Sequence, residues 1–261
     1  MILACGCGAK PAPSITLATT TSVQDSGLLD MLVPMFREQT GIEVKVVAVG
    51  TGRALEIARR GDADALIVHD PESEQRFMDE GHGESRRQIM HNDFVVVGPG
   101  DDPAKIRGTT TAVAALAQIA ESQATFVSRG DESGTHLREK SIWKKAGIEP
   151  KGEWYVQAGA GMAAVLRMAD EKRAYTLSDR GTFLALRDKI DLTILLEGDG
   201  MLLNRYSVIV VKADKHSAEA HERARHFAEF LVAPATQKAI GEFGVERFGQ
   251  PLFLPDALGG T

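Results

Sequence analysis

Small hydroxyl residues and glycines gather at five places in this chain, each between a β-rich apolar run and the start of a helical pattern. They are Thr19-Thr20-Thr21-Ser22, Gly50-Thr51-Gly52, Ser128-Arg129-Gly130-Asp131-Glu132-Ser133-Gly134-Thr135, Gly159-Ala160-Gly161 and Thr176-Leu177-Ser178. The start of a helix leaves up to about four backbone N–H groups unpaired and carries about half a positive charge. Glycine lets the backbone come close to a bound group, and Ser or Thr adds an O–H donor beside the amides. The chemistry this suits is the capture of a small anion. Any single cluster is explained as well by ordinary helix capping. Four hydroxyls in a row together with two Gly-flanked Thr sites favour the anion. None of the clusters fits the G-x-x-x-x-G-K-[ST] loop or a G-x-G-x-x-G after a strand, which argues against a nucleotide.

Arg129 is the charged residue that stands out. A guanidinium can give two parallel hydrogen bonds to an oxyanion and keeps its charge when buried. An ion pair with Asp131 or Glu132 is the competing use for it. Arg53 and Arg180 occupy similar turn positions, but helix phase aims them at solvent, and Asp179-Arg180 reads as a local salt bridge. Asp131, Ser133 and His136 lie close in sequence, yet spacing alone does not make a nucleophilic triad, and no G-x-S-x-G elbow is present. His69 and Asp70 close an apolar run before Pro71, where enzymes can keep functional groups. All seven histidines read better as ordinary structural or surface residues. No H-E-x-x-H, EF-hand loop or His/Asp cluster supports a metal cation site.

The elements that must carry these clusters alternate. Strands are expected over Ile15–Thr19, Glu43–Val49, Ala65–Val68, Phe94–Gly100, Ala124–Val127, Trp154–Val156, Ala174–Leu177 and Leu202–Lys212. Helices are expected from an N-cap at Asp25 to Gln39, kinked or divided by Pro34, and over Gly52–Arg60, Thr111–Ser122 and Thr135–Ala146. Further helices are expected over Met162–Lys172, Gly181–Leu186, Ala218–Leu231 and Pro234–Phe243. The alternation predicts an α/β fold that opens on a parallel sheet. The simplest division is a first lobe of 14–97 plus 203–261 and an inserted second lobe of 98–202. Two chain crossings between lobes imply a hinge and a cleft, where loops at the strand C-termini converge.

The chain has 261 residues, enough for one to two domains with a real core. Hydrophobic residues make up 43% and charged residues 25%, which excludes a disordered or fibrous chain. The net charge is −6, so there is no general attraction to nucleic acid or an anionic membrane surface. Cys5 and Cys7 are the two cysteines, and the thiol-free remainder excludes a thiolate metal cage, a disulfide within the fold and a cysteine nucleophile. Ile2-Leu3-Ala4-Cys5 resembles a bacterial lipobox, with Cys5 as the lipidation candidate and residues 8–13 as a tether. Only four residues precede that cysteine, short of the usual export signal. No apolar run approaches the roughly 18 residues a membrane span needs.

Several blocks resemble the tungstate-binding proteins of ABC importers. They are Leu17-Ala18-Thr19-Thr20-Thr21-Ser22-Val23-Gln24-Asp25-Ser26-Gly27-Leu28-Leu29, Val49-Gly50-Thr51-Gly52-Arg53-Ala54-Leu55, and Ser128-Arg129-Gly130-Asp131-Glu132-Ser133-Gly134-Thr135-His136. His91-Asn92-Asp93-Phe94-Val95-Val96-Val97-Gly98-Pro99, Tyr175-Thr176-Leu177-Ser178-Asp179-Arg180-Gly181-Thr182 and Asn204-Arg205-Tyr206 complete the set. The resemblance implies a two-lobed type II periplasmic-binding-protein fold, each lobe a mostly parallel sheet flanked by helices, joined by two crossover segments. It implies capture of tungstate, and also molybdate, in the interlobe cleft for delivery to a membrane permease. No enzyme activity, cofactor or nucleic-acid partner is implied, and an extracytoplasmic monomer is expected, lipid-anchored through Cys5. Carried over to this chain, the ligand residues are Thr20, Thr21, Ser22, Thr51, Arg129, Ser133 and Thr135, with Thr176 as a weaker member.

Tungstate and molybdate at neutral pH are dianions with no proton to donate, so their site should present donors and keep carboxylates away. Hydrogen phosphate would be helped by one acceptor, for which Asp25 or Asp131 could serve. A binding protein for phosphate and an α/β transferase are therefore the two alternative readings.

Overall fold

The computed structural model describes residues 12–257; residues 8–11 of the expected tether and the Cys5 lipidation expectation lie outside them. In chain order the elements are β1 (Ser14–Thr20), α1 (Thr21–Asp25), α2 (Leu28–Thr40), β2 (Glu43–Val49), α3 (Thr51–Arg60), β3 (Ala65–Val68), α4 (Pro71–Asp79) and β4 (Gly83–Pro99). Next come α5 (Ala112–Glu121), β5 (Phe126–Ser128), α6 (Gly134–Lys145), β6 (Tyr155–Gln157), α7 (Met162–Glu171), β7 (Thr176–Asp179), α8 (Arg180–Leu186) and β8 (Leu192–Leu196). β9 (Leu203–Val211), α9 (Ala218–Val232), α10 (Pro234–Glu242), α11 (Val245–Phe248) and β10 (Leu254–Pro255) finish the chain.

The chain forms two compact units. Among the described residues the first holds 12–89, 206–238 and 256–257, and the second holds 90–205 and 239–255. In the first, β2-β1-β3 pair in parallel and β9 runs antiparallel against β3. Leu17 and Ala18, adjacent in β1, are both fully buried, as a strand covered by helices on two faces requires. Ala18, Leu66, Val68 and Ile209 pack with Ala54, Leu55 and Phe77 from α3 and α4. Phe36 of α2 meets Phe227 of α9 edge-on, with ring centres 5.1 Å apart.

In the second unit β4 pairs antiparallel with both β7 and β8, while β5 and β6 are parallel. Its sheet also divides two cores. Val96 joins Trp143, Phe126 and Leu116, whereas Val95 and Val97 join Val165, Leu166 and Phe183, as alternation along a strand dictates. A Cβ on Gly98 would stand 2.6 Å from the Tyr175 ring, so only glycine fits there.

Four expectations change. The sheets are mixed, not mostly parallel, because β4 and β9 add antiparallel pairs to a parallel nucleus. The expected boundary at 97/98 lies at 89/90, and 239–255 sits with the second unit. Phe248 and Leu252 pack on that unit's core, and Leu254 pairs with His91 of β4. Asp25 ends α1 rather than capping a long helix; Gly27, at φ +79°, turns the chain into α2. Pro34 does not divide α2, and it lies on the exposed face where water can satisfy the carbonyl it leaves unpaired.

Candidate functional site

In the first unit the C-terminal ends of β1 and β2 feed directly into helices. Thr19, fully buried, donates its hydroxyl to the Ile67 carbonyl at 2.9 Å and ties β1 to β3. Thr20 is the extended N-cap of α1, and its side chain makes no capping bond. Its Oγ1 instead lies 3.0 Å from Ser22 Oγ, which lies 3.3 Å from His69 Nε2. Thr20 is buried while Thr21 and Ser22 are exposed, so this row of hydroxyls has an accessible end. His69, one residue past β3, stacks at a tilt on Tyr206, with ring centres 4.9 Å apart. Sequence reasoning set His69 aside, since a lone histidine after a strand carries no signal of what it faces.

Thr51 opens α3, and the cap residue Gly50 has no side chain to cover the first amides. A Cβ built on Gly50 or Gly52 would meet nothing within 4 Å. These two glycines leave the N-terminal N–H groups of a ten-residue helix approachable. Arg53 turns away to Glu56 at 2.6 Å on the exposed face, as helix phase predicts.

In the second unit Arg129 follows β5. Its Nε and Nη2 donate to Asp131 Oδ2 at 3.1 and 2.6 Å. The ion pair weighed for Arg129 is thus made with Asp131, while Glu132 pairs with Lys140 at 3.0 Å. Burial works against the Asp131 carboxylate, but hydrogen bonds from Arg129 and Ser133 outweigh it and hold its pKa below the ordinary value. The loop bends through two left-handed residues, Gly130 (φ +63°) and Glu132 (φ +56°). A Cβ on Gly130 would crowd Gln157 at 3.1 Å. Ser133 caps α6 by accepting from the His136 N–H, and Thr135 is buried in the first turn.

The same geometry removes the triad. The His136 ring accepts from the Glu132 N–H at 3.0 Å, and Ser133 Oγ meets the His136 backbone rather than its ring. The Gly159-Ala160-Gly161 cluster lies beside the Arg129 loop, since Ala158 N–H donates to Ser128 O at 2.9 Å and Ala160 N–H to Arg129 O at 3.3 Å. Gly161 is the cap of α7 and has no side chain to close it.

The fifth cluster is committed elsewhere. Thr176 donates to Val127 O at 2.7 Å, the counterpart in this unit of Thr19 in the other. Ser178 donates to the Asp179 carbonyl at 2.9 Å, and Asp179 caps α8 through the Thr182 N–H at 2.8 Å. Thr176 therefore has no proton to offer an anion. Arg180 also departs from expectation. It is only partly exposed and pairs not with Asp179 but with Asp93, donating at 2.7 and 2.5 Å, and with Glu197 at 2.6 Å. Asp93 in particular raises the basicity of the Arg180 guanidinium, so its charge is held within the fold. Among the described residues no group of three or more His, Cys, Asp or Glu could hold a metal ion.

A family model described as a PBP superfamily domain matches residues 8–235. The tungstate-binding protein TupA of Peptoclostridium acidaminophilum is 47% identical, over 97% of this chain and 93% of that protein. This chain belongs to the tungstate-binding branch of the PBP superfamily. TupA of Campylobacter jejuni is 38% identical over 90% of this chain and 88% of that one. Among solved structures, the tungstate-binding protein TupA from Desulfovibrio alaskensis G20 superposes with a TM-score of 0.86 at 46% identity, covering 94% of this chain and 99% of that chain. The tungstate ABC transporter structure from Geobacter sulfurreducens gives 0.74 at 45% identity, covering 88% and 98%. The two-lobed fold expected from the resemblance agrees with these family members.

Proposed function

We propose that this chain is the substrate-binding component of an ABC importer and that it captures tungstate, with molybdate as a second ligand. The donors are Thr20, Thr21, Ser22 and Thr51 from the first unit, and Arg129, Ser133 and Thr135 from the second. The open start of α3 supports this reading most directly: helix amides behind two glycines whose Cβ positions are empty space. A dianion without protons needs donors alone, and amides, hydroxyls and one guanidinium are donors. No net positive charge on the protein is required, because aligned N–H groups supply the local field.

Asp131 bears on the phosphate alternative. Its carboxylate is already loaded by Arg129 and by the Ser133 N–H at 3.2 Å, which leaves it a poor acceptor for a hydrogen phosphate. The chain works as a binding component and not an enzyme. It would deliver its ion to a membrane permease from the extracytoplasmic side as a monomer, with Cys5 as the lipid anchor. No helix among the described residues is long and apolar enough to cross a membrane. Isothermal titration with tungstate, molybdate, sulfate and phosphate tests the reading. One tungstate per chain, with sulfate and phosphate much weaker, is expected. Absence of heat with both metal oxyanions would overturn it.

A further inference from the structure

The hydroxyls at the end of β1 form a chain with a direction, and His69 stands at one end of it. Thr20 Oγ1 and Ser22 Oγ are 3.0 Å apart, and Ser22 Oγ and His69 Nε2 are 3.3 Å apart. Each hydroxyl has one proton and each bond in the row uses one. If His69 Nε2 lacks a hydrogen, Ser22 must donate to it, and Ser22 then has nothing left for an anion. If Nε2 carries a hydrogen, it donates to Ser22, and the Ser22 hydroxyl proton is released from the ring, to lie on Thr20 Oγ1 when the site is empty or to turn to an anion that displaces that bond. Hydrogen bonds in such a row polarise one another in the same sense. A proton-free dianion therefore discriminates between the two directions.

We infer that His69 is a positioning residue for anion binding: in the tungstate-bound protein its Nε2 carries a hydrogen that donates to Ser22 Oγ, so that the Ser22 hydroxyl proton is kept off the ring and donated to the ligand. This rests on the reading of Ser22 and Thr20 as ligand donors. The ring is held for the task from its other side, because His69 packs against Tyr206, itself buried in β9. Neither residue needs to touch the ion. The role passes through Ser22, so it differs from that of a ligand side chain.

The test uses the full chain titrated with tungstate, in the wild type, His69→Phe, His69→Gln, Ser22→Ala and the His69→Phe/Ser22→Ala double variant. Phenylalanine keeps a ring against Tyr206 but has no donor. Glutamine can place an amide N–H near the Nε2 position. His69→Phe should weaken tungstate binding roughly tenfold, the scale of one charge-assisted or well-placed hydrogen bond. His69→Gln should recover most of that loss. In the double variant the His69 change should add nothing to Ser22→Ala, because the pathway runs through Ser22. Nitrogen-15 spectra of the tungstate-loaded wild type should report a protonated Nε2. Wild-type affinity in His69→Phe, additive losses in the double variant, or an unprotonated Nε2 in the loaded protein would each overturn the inference. Wild-type affinity in Ser22→Ala is the separate failure, and it would remove Ser22 from the donor set itself.

Discussion

Helix α3 begins at Gly50 with no side chain over its first amides, whereas α8 begins at Asp179, whose carboxylate takes both the N–H and the hydroxyl of Thr182. Both starts follow a strand, and both looked alike as small-residue clusters. What separates them is whether the chain satisfies its own donors. Gly50 and Gly161 leave a helix end for something else to complete, while Ser133 and Asp179 close theirs with their own oxygens. The hydroxyls divide in the same way. Thr19 and Thr176 donate to neighbouring strands and hold the sheets together; Thr20 and Ser22 share a row that ends at the surface. The arginines divide too. Arg180 has its guanidinium filled by Asp93 and Glu197, whereas among the described residues Arg129 pairs with Asp131 alone.

The contrast can be broken most forcefully at the arginines. Arg129→Ala should weaken tungstate binding by roughly 100-fold, since a charged donor to a dianion is lost. Titration of the variant measures it, and unchanged affinity would put Arg129 with Arg180 among the structural pairs. Arg180→Ala should instead destabilise the fold by about 2 kcal/mol in urea unfolding, because Asp93 is left a partly buried carboxylate without its partner. A binding loss in that variant with stability intact would contradict the division. Gly52→Ala sharpens the comparison at the helix ends. Its Cβ meets no protein atom, so stability should hold or rise by about 0.5 kcal/mol, while tungstate affinity falls about tenfold as the methyl intrudes on the approach to the amides. The smallest effect belongs to Thr176→Val, with a cost of about 1 kcal/mol in stability and tungstate affinity within about twofold of wild type.

The alternation of strands and helices was readable from the periodicity of apolar residues, and most element positions agree within a residue or two. Failures came where tertiary contacts decide. The polar first half of β4, from Gly83 to Asp93, lacks an apolar run and owes its strand to pairing with neighbours. Gly27 splits the α1–α2 region although the apolar spacing continues through it. The site was legible in part for the same reason. Residue types singled out Thr20, Ser22, Thr51 and Arg129 as candidates, because small donors at strand ends are a local signal. Whether a hydroxyl is spent is a question of which carbonyl lies opposite, and the 49-residue separation between Thr176 and Val127 hides that from local reading. Arg180 was misjudged on the same ground, for its partner Asp93 lies 87 residues away in sequence.

Donors left open by this chain are expected to hold tungstate. Crystals grown with tungstate and measured at a tungsten absorption edge test it directly. The expected result is one strong anomalous peak whose oxygens accept from Arg129, Ser22 and the first amides of α3. A peak lacking all three donors, or none at saturating tungstate, would contradict it.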